Sequence, residues 1–547
     1  MNRVEASLAG HPLRWACAWI LGWAVFSLFI PIDASYDILH YHLQDGWSAW
    51  HGRLTVDFAP AGMHTYFNPV TDAIMYALIA NLPAGAITFL LAAIQASVLL
   101  LLYLLCRRVL ASLGHDSRIS ALLIALAGFF SYSMVNLISS IRTDHWITAG
   151  FLGGLLLLLP ADRRPVTWRR AALAAFLVGL TIGLKLTAVI HAAGIAAAIA
   201  IAVSGWRSRI AAAVAAAISG LAGILLTGGW WFYKLWSLTG NPVFPMANGF
   251  FHSPYAPPEN FRDPRSLLRN IWEVLLFPVN GAYRNYNEYD TSALQDLPIG
   301  LLYIAFVLFG VVWFRSLRRP SAGPAVHFPR PLLVVLGSVV ATLAVWFPLF
   351  AIGRYAMSVW MLSPLLFASA LIAIWPAVTE RARSLLWFGS VFAICAVAGF
   401  TVPLRRPHVP GMWKPYIEVT VPDSIRFDNA TVIFTGEYPT SFLAAYLPPS
   451  ATYTFALTNA WSEPAERELN RMVRERIAKD DGPFVAVMVD IGDKDGPQAI
   501  DMLLAGLRDR FGLTTERSRC ARFRTSVDTA GGYWLACPLS RLPDGAA

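Results

Sequence analysis

Long apolar runs, most of them separated by short loops, dominate the chain as far as about residue 402. A helix that crosses a bilayer needs about 20 mostly apolar residues, and about 17 are enough in short cases. On this measure the pattern predicts eleven membrane-spanning helices. They cover residues 13–32, 84–105, 119–138, 145–160, 171–185, 188–203, 210–230, 298–314, 332–350, 356–377 and 385–402.

The apolar run 171–205 is too long for a single span. As one helix it would extend about 50 Å at about 1.5 Å per residue, whereas a hydrocarbon core is about 30 Å thick. Arginines stand before it at 169 and 170 and after it at 207 and 209. Both pairs favour the cytoplasm, so we predict two short spans that turn near Lys185.

The arginines also predict the orientation of the chain. With the N-terminus in the cytoplasm, seventeen arginines fall in cytoplasmic loops, and the short loops on the other side hold few. This asymmetry is the one that the positive-inside rule describes. We therefore expect a multi-pass protein of the inner (plasma) membrane, with a cytoplasmic N-terminus and a periplasmic, extracytoplasmic C-terminal part.

Composition supports a membrane protein and argues against nucleic acid as a partner. The 547 residues are 56% hydrophobic and 14% charged, and the mean hydropathy is +0.51. Soluble chains carry about 25% charged residues. The net charge of +9 lies mostly in the short loops, so it is a topology signal, and membrane lipid is the expected surrounding.

Two regions outside the spans are long loops on the predicted outer side. The first, 33–82, contains the segments 39–54 and 71–82, which we interpret as short amphipathic helices lying in the interface. The second, 238–297, is rich in Pro, Asn, Tyr and Arg and has one helical patch at 266–277.

The tail has a different pattern, which predicts a small α/β domain at 404–547 after a membrane domain at 1–403. Apolar strands are expected at 431–435 and 484–490, amphipathic helices at 463–479 and 497–511, and a hairpin at 521–525 and 533–536.

Cys520 and Cys537 flank this hairpin and predict a disulfide in an oxidising compartment. If Thr525 pairs with Tyr533, Ala521 falls opposite Cys537 and Cys520 lies one residue away. A small register shift or a bulge would bring the cysteines within the Cα separation of about 5.5 Å that a disulfide requires.

Carboxylates at the outer ends of spans are the first candidates for chemistry, because ionisable groups there are costly and tend to be functional. Asp37 is the chosen general base, with Asp33 and Asp45 as competitors; a helix cap or a solvated loop acid is the alternative. Asp144 could orient the base, bind the acceptor or a metal, or simply pair with Arg142.

Cations at the same predicted face are candidates for binding a phosphate. Lys185 stands alone in an apolar segment, and Arg354-Tyr355 opens the tenth span. The alternative is that both cations reach the headgroups as interfacial anchors. Further candidates for substrate binding are Tyr41, His42, Arg142, His145, Asn241 and Arg284.

Cofactor signals are sparse in this sequence. His40 and His42 are two residues apart, which is a poor spacing for a helical zinc site. A divalent cation held by Asp37 and Asp144 is the one cofactor that the pattern leaves open. There is no P-loop, no G-x-G-x-x-G fingerprint, no G-x-S-x-G elbow and no C-x-x-C pair.

Seven motifs follow one another along the chain. They are Tyr36-Asp37, Tyr41-His42-Leu43, Gly52-Arg53-Leu54, Thr143-Asp144, Gly183-Leu184-Lys185-Leu186-Thr187, Gly240-Asn241-Pro242-Val243-Phe244-Pro245 and Gly353-Arg354-Tyr355. Their order resembles the GT-C class of membrane glycosyltransferases, distantly like the aminoarabinose and protein O-mannosyl transferases. The resemblance implies an inverting transfer of a sugar from a polyprenyl phosphate to a glycan, lipid or protein acceptor.

The resemblance implies a role for each matching residue. Asp37 would be the general base, and Asp144 would assist with the acceptor or a metal. Lys185 and Arg354 would hold the donor phosphate. One departure is that Asp37 is followed by Ile38, whereas many members carry an Asp-Glu doublet there.

Two other functional classes compete with a transferase. A polytopic lipid or polysaccharide transporter or flippase would need charged or broken helices near the midplane in paired halves. A non-catalytic envelope assembly protein would work through its tail. Loss of activity in a folded Asp37→Asn variant would argue against both.

Overall fold

The chain forms two compact units. The computed structural model describes residues 2–159, 165–261, 267–268, 270–278, 297–318, 328–401, 412–457, 468–490, 496–527 and 532–543. The first unit comprises residues 1–27, 89–229 and 262–405, and the second comprises 28–88, 230–261 and 406–547.

Helices occupy every segment in which a span is predicted. The helices are α1 Asn2–Gly10, α2 Pro12–Ser27, α3 Leu43–Trp50, α4 Val70–Asn81, α5 Ala84–Ser112, α6 Arg118–Phe129, α7 Tyr132–Asn136, α8 Asp144–Leu157, α9 Trp168–Leu184, α10 Ile190–Ala202, α11 Trp206–Thr239, α12 Asn248–Phe251, α13 Ile271–Leu275, α14 Leu297–Arg318, α15 Arg330–Leu349, α16 Met357–Ile374, α17 Arg381–Thr401, α18 Glu468–Lys479 and α19 Gly496–Phe511. The predicted interfacial helices correspond to α3 and α4.

Six of the described helices are long and apolar enough to cross a membrane by length and composition: α5, α11, α14, α15, α16 and α17. Helices α4, α6 and α10 are apolar but shorter. The coarse prediction of a helical membrane protein agrees with these helices, and the number of eleven spans stays a prediction.

Lys185 ends a helix, as the arginine pattern predicts. Helix α9 stops at Leu184, and the backbone of Lys185 is extended, with φ −148° and ψ 112°. A 3₁₀ turn, Leu186–Val189, leads into α10. The long apolar run is therefore two helices and not one.

Helices α8 and α9 pack in opposite directions through small residues. A β-carbon on Gly150 would lie 2.5 Å from the Thr181 methyl carbon, and one on Gly154 would lie 3.2 Å from the Ala174 carbonyl oxygen. Glycines four residues apart allow this close approach. The packing brings the N-terminal end of α8 beside the residue that follows α9.

A mixed sheet organises the second unit. Its strands are β1 Thr431–Thr435, β2 Thr452–Ala456, β3 Phe484–Asp490, β4 Leu513–Thr514, β5 Ala521–Phe523 and β6 Tyr533–Arg541. They run in the order β2-β1-β3-β6-β4, with β5 also paired to β6. β1 is parallel to β2 and β3, and β6 is antiparallel to β3. β1 and β3 are buried along their whole length, as their continuous apolar runs predict.

Arg53 joins the segment after α3 to the sheet inside the second unit. It donates to both carboxylate oxygens of Asp57, at 3.0 and 2.7 Å, and to the carbonyls of Pro449 and Ala451. Asp57 in turn accepts the Tyr453 backbone N–H at 3.0 Å. These bonds hold part of the predicted first outer loop against strand β2.

A disulfide joins Cys520 and Cys537, with Cα atoms 4.1 Å apart. β5 pairs with β6 so that Ala521 lies opposite Ala536. This register differs by one residue from the one predicted, and when it is extended by one residue Cys520 falls opposite Cys537. The shift that the sequence left open is therefore the one that brings the cysteines together.

Candidate functional site

A buried ion pair lies at the junction of α8 and α9. The Lys185 ammonium is 3.0 Å from a carboxylate oxygen of Asp144, and their side chains are 17% and 2% exposed. Asp144 is the first residue of α8, where the helix dipole favours a negative charge. Lys185 therefore does not simply extend to the headgroups but forms an ion pair with Asp144.

A short 3₁₀ turn, Gly353–Ala356, presents Arg354 and Tyr355 just before α16. Two buried tryptophans hold its backbone in place. Trp346 donates to the Ile352 carbonyl at 2.9 Å, and Trp360 donates to the Gly353 carbonyl at 2.8 Å. The position of Arg354 is thus set by packed aromatic side chains of two helices.

The ring of Tyr355 lies next to two cations. The Lys185 ammonium and the Arg354 guanidinium carbon are each 5.4 Å from its centroid, within the range of a cation–π contact. Arg354 and Arg142 also attract the Asp144 carboxylate. Three cations, Lys185, Arg354 and Arg142, therefore act on one carboxylate, and with Tyr355 they form the group called here the Lys185 cluster.

Arg142 and His145 flank Asp144 and are both buried. The Arg142 backbone N–H and its Nε donate to the Ser140 hydroxyl at 3.0 and 3.3 Å. These two predicted substrate-binding residues belong to the same unit and the same helix start as Asp144.

His191 is a buried polar residue that the sequence analysis did not single out. Its Nε2 lies 2.7 Å from the Ser358 hydroxyl, which places an imidazole of α10 against α16 one turn after Arg354. The feature of the sequence that could have identified His191 is a single histidine within an apolar run.

Asp37 lies in the second unit, beside two neutral histidines. It directly precedes a π-helical turn, Ile38–His42, a form that often occurs at functional sites. Burial lowers the pKa of His40 to about 3 and that of His64 to about 4, and the Asp37 carboxylate opposes both shifts. The rings of His40 and His64 lie 5.0 Å apart, and Tyr41 stacks on His64 at 5.2 Å.

The two competing carboxylates differ from Asp37 in their surroundings. Asp33 accepts the Ser35 backbone N–H at 3.1 Å, which is a local turn contact. Burial, together with the charge of Asp72, raises the pKa of Asp45 well above its usual value. A carboxyl group that holds its proton is a poor general base at neutral pH.

His42 forms a buried pair with Asp72, which the sequence analysis did not predict. The Nδ1 atom of His42 lies 2.7 Å from the Asp72 carboxylate, and the two side chains are 6% and 3% exposed. A carboxylate at Nδ1 fixes the orientation and the tautomer of an imidazole.

Asn241 organises its own loop. It donates to the Met246 carbonyl at 2.9 Å and to the Asn248 side-chain oxygen at 3.3 Å, and it accepts the Val243 N–H at 3.0 Å. Arg284, the remaining substrate-binding candidate, lies outside the described residues.

Among the residues that the structure describes, no group of three or more His, Cys, Asp or Glu side chains is arranged to hold a metal ion. Asp37 and Asp144 belong to different units. A divalent cation shared by them stays a prediction.

In comparisons with known proteins, no family model matches this chain and no curated protein matches it.

Proposed function

We propose that the chain is an inverting membrane glycosyltransferase of the GT-C type. It moves a sugar from a polyprenyl-phosphate donor to an acceptor at the outer, periplasmic membrane face. The observation that carries the proposal is the Lys185 cluster, in which Lys185 and Arg354 flank the Tyr355 ring. Cations grouped in this way fit a phosphate better than they fit a neutral ligand.

The residues divide between the two ends of the reaction. Asp37 takes the proton of the acceptor hydroxyl, and the resulting oxygen attacks C1 of the sugar. The bond from C1 to the phosphate oxygen breaks, and polyprenyl phosphate leaves with both bonding electrons. Lys185 and Arg354 stabilise the negative charge of the departing phosphate, and positioning supplies much of the rate.

The surroundings of Asp37 support its role as the base. Burial keeps His40 and His64 neutral at neutral pH, so these two rings do not form ion pairs with Asp37.

The proposed membrane arrangement has eleven spans, a cytoplasmic N-terminus and a periplasmic tail. The disulfide between Cys520 and Cys537 fits an oxidising compartment for the tail. Single cysteines at Ser424 and Ser321, in a chain whose own free cysteines are replaced, test this arrangement. An impermeant thiol reagent on intact cells should label position 424 and leave 321 unlabelled; the reverse would overturn the orientation.

The function is tested by lipid-linked sugar profiling followed by assay of the purified protein. Cells that lack the gene should accumulate one polyprenyl-phosphate sugar, and the full-length protein in liposomes should transfer that sugar from an extracted donor. Asp37→Asn should reduce transfer by about 100- to 10,000-fold, the usual effect of removing a positioned base. The exposed Asp428→Asn is the matched control and should keep normal transfer.

The results that contradict the proposal are equally definite. Unchanged lipid-linked sugars in the deletion strain would exclude the donor class. Near-normal transfer by Asp37→Asn would move the base to another residue, with Asp33 and Asp144 as the next candidates.

The buried Asp144–Lys185 pair also favours a second candidate, an ion-coupled transporter. Buried carboxylates that pair with a lysine occur on ion pathways of transporters. A transporter moves its substrate without breaking the bond to C1, so the same liposomes separate the two functions. Intact donor on the far side of the membrane, without free polyprenyl phosphate, would establish transport.

A further inference from the structure

A cavity of about 810 Å³ lies in the first unit at the end of α8 that is opposite to Asp144. Its wall includes Leu158 and Leu159, which follow α8, and it also includes the last turn of α5 and the start of α15. The length of α8 separates it from the Lys185 cluster by about 20 Å. Its volume is within the range of about 300–1,000 Å³ that small-molecule pockets have.

Three arginines line this cavity, with one carboxylate among them. They are Arg107, Arg108 and Arg330, and the carboxylate is that of Asp116. Arg108 donates to the carbonyls of Leu156 and Leu159, so it caps the C-terminal end of α8. Arg108 therefore stabilises the end of this helix.

Arg107 and Arg330 have weaker partners than Arg108. Arg107 pairs at 2.8 Å with Asp116, a carboxylate that is 67% exposed, and such exposed pairs contribute little. It also has a side-chain hydrogen bond with Tyr103 on its own helix. Arg330 donates to the exposed Ser204 hydroxyl at 2.6 Å. Both guanidinium groups can therefore exchange these partners for an anion at a small cost in free energy.

The remaining wall is largely apolar. Leu104, Leu158, Val166 and Val334 face the same cavity as the arginines. A soluble anion such as inorganic phosphate would leave this apolar surface exposed to water, whereas an amphiphile covers it. Arginine binds phosphate with two parallel hydrogen bonds, which suits a phosphate headgroup above an acyl chain.

We propose that this cavity binds the headgroup of an anionic phospholipid from the surrounding leaflet. The cavity lies at the ends of α5, α8, α10 and α15, next to the arginine-rich loops that the proposed topology places in the cytoplasm. Basic pockets between helices on that side recognise anionic lipid headgroups. The binding does not depend on the proposed reaction, because the cavity and the Lys185 cluster lie at opposite ends of α8.

Native mass spectrometry of the purified full-length protein tests the proposal. The protein is titrated in detergent with phosphatidylglycerol, with phosphatidylcholine and, in a separate arm, with a polyprenyl phosphate. We expect saturable binding of phosphatidylglycerol and much weaker binding of phosphatidylcholine. The double substitution Arg107→Gln, Arg330→Gln should weaken phosphatidylglycerol binding by about 30-fold.

A matched control removes two arginines outside the cavity. Arg207→Gln, Arg383→Gln changes two exposed arginines that stack on Trp206 and Trp375, and it should change binding by less than about twofold. Ser112→Glu is a second variant, which adds a carboxylate to the cavity wall and removes no arginine. It should weaken binding even if the double substitution unfolds the protein.

Three outcomes would overturn the proposal. Equal affinity for phosphatidylglycerol and phosphatidylcholine would show that the arginines do not distinguish an anionic headgroup from a zwitterionic one. Normal binding by Ser112→Glu or by the folded double variant would place the lipid elsewhere. Tighter binding of the polyprenyl phosphate, lost in the same variants, would make the lipid carrier the occupant in place of the phospholipid.

Discussion

The ammonium of Lys185 lies 3.0 Å from the carboxylate of Asp144, although the two residues are 41 positions apart in the sequence. One begins a helix and the other follows the end of the antiparallel neighbour of that helix. The pair is buried, so each charge depends on the other and on the cations Arg354 and Arg142 nearby. The two side chains should therefore differ in how much stability is lost when each is removed.

Asp144→Asn should destabilise the protein more than Lys185→Met does. Removing the carboxylate leaves Lys185 facing two further cations, whereas removing the ammonium leaves Asp144 with Arg354 and Arg142. Loss of one partner from a buried pair costs about 3–5 kcal/mol, and we expect Asp144→Asn to reach that range. Thermal unfolding in detergent measures the two losses of stability, with Lys414→Met as a surface control. Equal losses for Asp144→Asn and Lys185→Met would contradict the prediction.

Arg53→Lys should loosen the second unit. A lysine cannot reproduce the two-pronged contact with Asp57 while also reaching Pro449 and Ala451. Hydrogen bonds to charged groups contribute about 1.5–3 kcal/mol each, so we expect a loss of about 3 kcal/mol. Faster proteolysis of the tail together with a lower unfolding temperature would be the result. Arg508→Lys, which changes an exposed arginine paired with its neighbour Asp509, should change neither the proteolysis rate nor the unfolding temperature.

The disulfide predicts a count of reactive thiols. Denatured, unreduced protein should alkylate at Cys17, Cys106 and Cys395, and all five cysteines should react after reduction. Replacing Cys520 and Cys537 by serine should lower the free energy of unfolding by about 3 kcal/mol, the usual value for a loop of this length. Cys17→Ser provides the control. Five alkylated cysteines without reduction would contradict the pairing.

The helices could be predicted because their signal is local. Apolar runs of the right length marked the helices in every predicted span, and the arginines on both sides of residues 171–205 predicted the break at Lys185. Strand β2 was missed because Thr452–Ala456 is short and alternates threonine with aromatic residues, so its apolar content is low. What places it in the sheet is its parallel pairing with β1.

Side-chain partners were harder to predict than elements, because they join distant parts of the chain. The sequence placed Asp144 and Lys185 at one membrane face but did not pair them. The pairing follows from Gly150 and Gly154, which let α8 and α9 approach. Asp72 was missed for the same reason: it lies 30 positions from His42, and nothing local marks it as a partner.

Acid should destabilise the second unit through His40 and His64. Their folded pKa values, about 3 and about 4, lie below the value of 6.5 for a free histidine. The unfolded chain therefore binds protons first as the pH falls below 6.5, and stability is lost between about pH 6.5 and pH 3, down to about pH 4 for His64 and about pH 3 for His40. Thermal unfolding across this range should show a smaller loss for His64→Gln than for the unchanged protein. Exposed His252→Gln should keep the full loss; parallel curves for all three proteins would contradict the assignment.

Arg354→Gln should weaken binding of the lipid-linked donor more than it slows the chemical step. The guanidinium lies beside Tyr355 in the Lys185 cluster, where the proposed donor phosphate is held in the ground state as well as in the transition state. An interaction that both states share affects binding rather than kcat. The loss of charged hydrogen bonds should raise the dissociation constant by roughly 10- to 100-fold.

Separate measurement of donor binding and single-turnover transfer distinguishes this role from a structural one. Arg354→Lys keeps the charge and loses the fork, so it should recover part of the binding. Arg383→Gln, an exposed arginine next to Glu380, should leave both quantities unchanged. If Arg354→Gln lowers the transfer rate and leaves donor affinity intact, Arg354 acts on the transition state alone, and the donor phosphate is held by other residues.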